Sequence, residues 1–130
     1  MRPIKFRGKI KEHFGDTKGN VVLTKGTWIY GGITFDIDRT WIDMPYYGEI
    51  LVDKDTVGQF TGLHDKNGKE IYEGDVVKIS DVDTAIVEWN NKYASFILKP
   101  IGDYYFDNDV LGCATEHNDL IELIGNVFKN

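Results

Sequence analysis

The stretch Thr56–Ile79, TVGQFTGLHDKNGKEIYEGDVVKI, constrains the fold of this chain more than any other. Asp65-Lys66-Asn67-Gly68 lies between two extended apolar runs and has the chemistry of a chain reversal. Asn tolerates left-handed backbone, and Gly enters it without a Cβ clash. Ile71 and Tyr72 start the return strand, Glu73-Gly74-Asp75 makes a tight corner, and Val76–Ile79 reads as a buried strand. The segment speaks to architecture and not to chemistry. It holds no nucleophile–base pair, no metal-ligand spacing and no phosphate loop.

The remaining sequence keeps the same rhythm. Across Arg2–Lys11, Ile4, Phe6 and Ile10 alternate with Lys5, Arg7, Lys9 and Lys11, the period-2 signature of a half-buried strand. Val21–Leu23 opens a short strand after the polar turn Phe14–Asn20. Thr27–Tyr30 and Thr34–Ile37 bracket Gly31-Gly32, which reads as a hairpin or bulge. The acidic stretch Asp36–Tyr47, with Met44-Pro45, reads as a surface loop in which Trp41 and Ile42 are the candidates for burial. Glu49–Val52 leads into the central segment, where Gly58 and Gly62 break the extended pattern. Thr84–Trp89 and Tyr93–Leu98 form a hairpin around Asn90-Asn91-Lys92, with Trp89 in the core. Tyr104–Phe106 adds an edge strand, Thr115–Leu120 a single helical turn, and Leu120–Phe128 a closing strand interrupted at Gly125.

Composition agrees with a β protein. With 130 residues the chain suits one domain, and 42% hydrophobic with 13% aromatic residues can fill a core. Aromatic and β-branched residues fit a pleated surface. The fold expected is mainly β: a small SH3-like barrel in the C-terminal half, from about residue 56 to 130. Additional N-terminal strands, about 1–55, pack on it within a single domain, with at most short helical turns. A net charge of −6 argues against general binding to polyanions or anionic membranes. The single cysteine, Cys113, excludes an intramolecular disulfide and fits a reducing compartment. The N-terminus lacks the apolar region of a signal peptide, and no apolar run approaches the roughly 20 residues of a membrane helix. The expected location is the cytoplasm.

Five segments taken in order carry a family resemblance: KFRGKI, WIYGG, the central TVGQFTGLHDKNGKEIYEGDVVKI, IVEWNN and LIGNVF. Together they resemble the YopX family, small proteins encoded by bacteriophages and prophages. The resemblance implies a β-rich fold with an SH3-like barrel and expression inside a bacterial host. It supplies no catalytic residues, because the family's biochemical function is not established.

Candidate chemistry is confined to a few clusters. His64, Asp65, Glu70 and Glu73 would make an acid–base or metal cluster only if they converged, and neighbouring strand side chains point to opposite faces. Asp65 is expected to shape the turn. Gly68-Lys69 is followed by Glu70 and a strand, which a phosphate loop does not allow. Lys5, Arg7, Lys9 and Lys11 form a basic stripe that could follow a nucleic-acid backbone, or guard an exposed strand against edge-to-edge pairing. Asp36, Asp38 and Trp41, with Tyr104 and Tyr105, form either solvated loop or an acidic and aromatic surface suited to protein contact. The reading is a non-catalytic binding protein with no cofactor and no metal. Its expected partner is protein: a host factor, another phage protein or a second copy. Nucleic-acid binding through Lys5–Lys11 is the alternative.

Overall fold

The computed structural model describes residues 3–16, 18–79, 83–92, 94–101, 109–110 and 121–128. Among them every regular element is a strand: β1 (Phe6–Ile10), β2 (Phe14–Gly15), β3 (Val21–Leu23), β4 (Trp28–Phe35), β5 (Thr40–Met44), β6 (Gly48–His64), β7 (Glu70–Tyr72), β8 (Asp75–Ile79), β9 (Asp83–Asn90), β10 (Ser95–Pro100), β11 (Asp109–Val110) and β12 (Ile121–Asn126). The chain divides into two compact units, Met1–Gln59 and Phe60–Asn130, and the division falls inside β6.

In the first unit β1 is an interior strand. It pairs antiparallel with β4 through Phe6↔Gly31 to Lys9↔Trp28, and with β6 through Phe6↔Gln59 and Ile10↔Val52. β5 lies between β4 and β6, with Ile33 opposite Ile42 and Ile42 opposite Ile50. Directly opposed residues share a face, so this register puts Ile10, Ile29, Ile42, Ile50 and Val52 into one buried cluster. Each such side chain contributes about 1.5–3 kcal/mol through burial. Lys9, Trp28, Tyr30, Asp43 and Glu49 occupy the other face.

Close backbone approach fixes this packing at two glycines. A Cβ at Gly8 would stand 3.1 Å from the Val52 side chain, and one at Gly31 would collide with the Asp43 carbonyl oxygen. Opposite Gly8, β6 leaves the ladder between Asp53 and Gly58. Thr56 repairs the gap: its Oγ1 accepts from the Lys9 amide (2.9 Å) and donates to the Asp53 carbonyl (2.6 Å).

The second unit is built on the meander β8–β9–β10, with β12 returning to β8 and β11 lying on β10. Ile71, Val77, Ala85, Val87, Phe96, Leu98 and Ile121 form its core. At the corner before β8, Gly74 has φ +90, its amide donates to the Val87 carbonyl (2.8 Å), and the Asp75 carboxylate accepts from the Tyr72 amide (2.7 Å).

The tip of the β6–β7 hairpin is tied to β12 by Asp65, which is buried. Its Oδ1 accepts from the Asn67 and Lys69 amides, and its Oδ2 from the Leu123 amide, all at 2.9 Å. The Lys66 amide donates to the Ile121 carbonyl (2.9 Å), and Lys66 Nζ lies 3.3 Å from Glu122.

Three expectations are corrected. Gly31-Gly32 does not break the chain, because β4 runs straight through it: its first half pairs with β1 and its second half with β5. The segment read as an acidic loop contains β5, whose alternation Trp41, Ile42, Asp43 is too short to stand out from its polar flanks. Trp89 is 46% exposed, lying edge-on to Phe96 and donating from Nε1 to Asn91 (2.8 Å). The edge strand expected at Tyr104–Phe106 and the turn at Thr115–Leu120 lie outside the described residues.

Candidate functional site

The β4–β5 turn gathers most of the acidic and aromatic residues singled out from sequence. Asp36 closes it. Its Oδ1 accepts from the Asp38 (2.9 Å) and Arg39 (2.8 Å) amides, its Oδ2 pairs with Arg39 Nη2 (3.3 Å), and its own amide donates to the Arg39 carbonyl. The amides of Asp38 and then Arg39, with the Arg39 charge, hold the Asp36 carboxyl below its ordinary value. Arg39 also lies over the Trp41 ring, 5.2 Å from its centroid. A turn so cross-linked holds its shape, and it presents two large apolar side chains to water: Phe35 is 72% exposed and Ile37 is 93% exposed.

Beside this turn is an open hollow of about 130 Å³, lined by Lys11, Asp38, Arg39, Thr40 and the β6 run Leu51–Asp55. The structure thus brings Lys11 of the basic stripe and Asp38 of the acidic group to one depression. Three cations (Lys11, Arg39, Lys54) line it together with three carboxylates (Asp38, Asp53, Asp55). Among the described residues, the Lys11, Lys54 and Asp55 side chains make no ion pair. Charged groups left solvated around a hollow suit contact with polar partner groups, which can replace that water without stripping a buried charge.

The basic stripe is not a uniform exposed face. Lys11 is exposed and Lys5 and Lys9 are half-buried, but Arg7 is 5% exposed. Its guanidinium lies 4.7 Å from the centroid of Trp28, and Lys9 Nζ lies 5.4 Å from the same ring. Both cations share a sheet face with Trp28 because β1 pairs with β4 in that register. Alternation in sequence finds the face of a strand but does not say whether a neighbouring aromatic covers it.

His64, Asp65 and Glu70 each turn to a different partner. His64 is exposed with its ring roughly perpendicular to that of Phe60 (centroids 5.7 Å apart), and Glu70 accepts from the Tyr72 hydroxyl (3.1 Å). Both Asp65 oxygens are taken by backbone amides. Burial pushes this carboxyl upward, but the amides of Leu123, Lys69 and Asn67 and the Lys69 charge outweigh it and hold it below the ordinary value. Among the described residues no cluster of three His, Cys, Asp or Glu could hold a metal ion. Tyr104 and Tyr105 lie outside the described residues, as do Cys113 and His117.

Sequence reasoning missed two things. One is the exposure of Phe35 and Ile37, which end an extended run whose apolar residues fall to the core by default. The other is charge distribution. Residues 1–59 carry 9 Lys and Arg against 8 Asp and Glu, whereas residues 60–130 carry 6 against 13. A tally by segment would have found it. Among the described residues no helix is long and apolar enough to cross a membrane.

A family model described as YopX protein matches residues 14–130. No curated protein matches the chain.

Proposed function

This chain belongs to the YopX protein family, and we propose that it works by binding protein rather than by catalysis. In this reading it is a bacteriophage or prophage product acting in the cytoplasm of a bacterial host. Its partner is a host or phage protein, or a second copy of the chain. The meander β8–β9–β10, with β12 returning to β8, supports an SH3-like barrel as the frame of the second unit.

One observation carries the proposal: the β4–β5 turn holds Phe35 and Ile37 out in water on a backbone fixed by Asp36. A preorganised turn loses little entropy when it docks, and apolar side chains there recover burial only against a partner. The charged hollow beside it supplies a polar rim. Nucleic-acid binding through Lys5, Arg7, Lys9 and Lys11 is the weaker reading, because Arg7 is buried against Trp28 and cannot follow a phosphate backbone.

The test is affinity capture from phage-infected host cells with the wild-type chain and with Ile37→Asp. A stable protein partner retained by wild type and lost by the variant is expected. Failure to retain any protein, together with salt-sensitive retention on DNA or RNA, would overturn the reading in favour of nucleic acid.

A further inference from the structure

The β5–β6 turn, at the other end of β5, breaks three local rules at once. Met44 pairs with Gly48, leaving Pro45, Tyr46 and Tyr47 as the loop. Tyr46 has φ +72, in the left-handed region that bulky residues avoid. Its side chain is 103% exposed, so within the described chain it recovers no burial for that strain. Asn at this position would accept the same backbone with less strain. Just behind the loop, Asp43 stands directly opposite Glu49 in the β5–β6 ladder. Opposed carboxylates on one face repel, and both are exposed with no ion pair among the described residues. Strain of this kind marks sites kept for contact with something else.

We propose that this turn is a second docking element, in which Tyr46 inserts into an apolar slot on a protein partner whose rim is basic. The Tyr46 ring supplies a large apolar area with few rotatable bonds, the character of a binding anchor. Asp43 and Glu49 set the sign of the surroundings. Lysine or arginine from the partner relieves their mutual repulsion on docking, and nucleic-acid phosphate would worsen it. This inference rests on the binding reading above but on a different turn, so the two can fail separately.

The experiment is a peptide-display selection on the immobilised full-length protein. Fluorescence-polarisation titration of the selected peptides follows, with thermal melts of each variant. Peptides carrying Lys or Arg beside an apolar residue are expected. Tyr46→Asn should weaken them about tenfold, the size of a modest hot spot, while melting above wild type. The pair Asp43→Asn with Glu49→Gln should also weaken binding, flatten its salt dependence and melt higher.

Tyr46→Asn binding with wild-type affinity, or melting below wild type, would sink the proposal, as would selection of acidic peptides. Peptides lost by Ile37→Asp but kept by Tyr46→Asn would preserve the binding reading and end this one. No selected peptide at all would count against both. Sedimentation showing a dimer that Tyr46→Asn dissolves would assign the turn to a second copy and overturn the basic partner.

Discussion

Among the described residues the same five-residue turn occurs once in each unit, and its two copies do different work. In Asp16–Asn20 and in Asp65–Lys69, the Asp amide donates to the carbonyl of the fifth residue at 2.8 Å. The fourth residue is a left-handed glycine, Gly19 at φ +85 and Gly68 at φ +82. In both, Asp Oδ1 accepts the amides of the third and fifth residues at 2.9 Å. The copies diverge at the other carboxylate oxygen. Asp16 Oδ2 turns back to Asn20 Nδ2 (3.2 Å) on the surface, while Asp65 Oδ2 reaches Leu123, 58 positions away. A turn motif is therefore a local instruction whose spare acceptor is free for another use. In the second unit that acceptor ties the β6–β7 hairpin to β12.

The contrast is tested most severely by Asp65→Ala. The substitution strips the acceptor from three part-buried amides. An expected loss of about 3 kcal/mol follows from removing a charged acceptor that serves all three. Urea unfolding measures it, and amide exchange at Leu123 shows whether β12 loosens first. Asp65→Asn should recover only part of that loss, because an amide offers one acceptor oxygen and turns an NH₂ toward a donor. A variant as stable as wild type would show that the link to β12 is decorative.

The first unit lacks a buried carboxylate among its described residues and relies on close approach of backbone instead. Gly31→Ala should cost about 2 kcal/mol, within the usual range for overpacking, since the new methyl meets the Asp43 carbonyl. Its neighbour gives the control. A methyl added at Gly32 would find nothing within 4 Å, so Gly32→Ala should be neutral or slightly stabilising by urea unfolding. Equal effects at both positions would mean that β4 and β5 can separate freely.

A smaller effect should appear with pH. The Asp65 carboxyl titrates below its unfolded value, so the stability it contributes is complete above the unfolded carboxylate range near pH 4. That contribution is lost as pH falls through the lower folded value. The difference in urea midpoint between wild type and Asp65→Ala should therefore be constant at about pH 5–7 and shrink in stronger acid. A difference unchanged down to about pH 2 would mean that the charge on Asp65 contributes nothing.

How far this was legible in sequence depends on range. The turn at Asp65–Gly68, the hairpin around Asn90–Lys92 and the Gly125 irregularity were readable because each is decided within a few residues. Arg7 was misplaced because its environment comes from Trp28, a cross-strand neighbour that alternation cannot supply. β5 was missed for the same reason: Ile42 is buried by Ile33 and Ile50, neither of them nearby in sequence. The candidate site is readable only in part. Asp36, Asp38 and Trp41 stand out as an acidic and aromatic run, but the exposed Phe35 and Ile37 between and beside them look like core residues until β4 and β5 are in place.

The smallest effect discriminates most cleanly between the two turns. Asp16 is exposed, and its carboxyl is held low by the amide and side chain of Asn20 and by the Lys18 amide, all within its own turn. Asn at position 16 keeps a side-chain oxygen to accept those amides and tolerates the same backbone. Asp16→Asn should therefore leave the melting temperature unchanged, while the identical change at Asp65 lowers it. Both substitutions remove one charge and replace one oxygen, so the difference compares an Oδ2 contact made on the surface to Asn20 with one that reaches Leu123. Matching shifts at the two positions would place the stabilising effect of Asp65 in its turn and not in its link to β12.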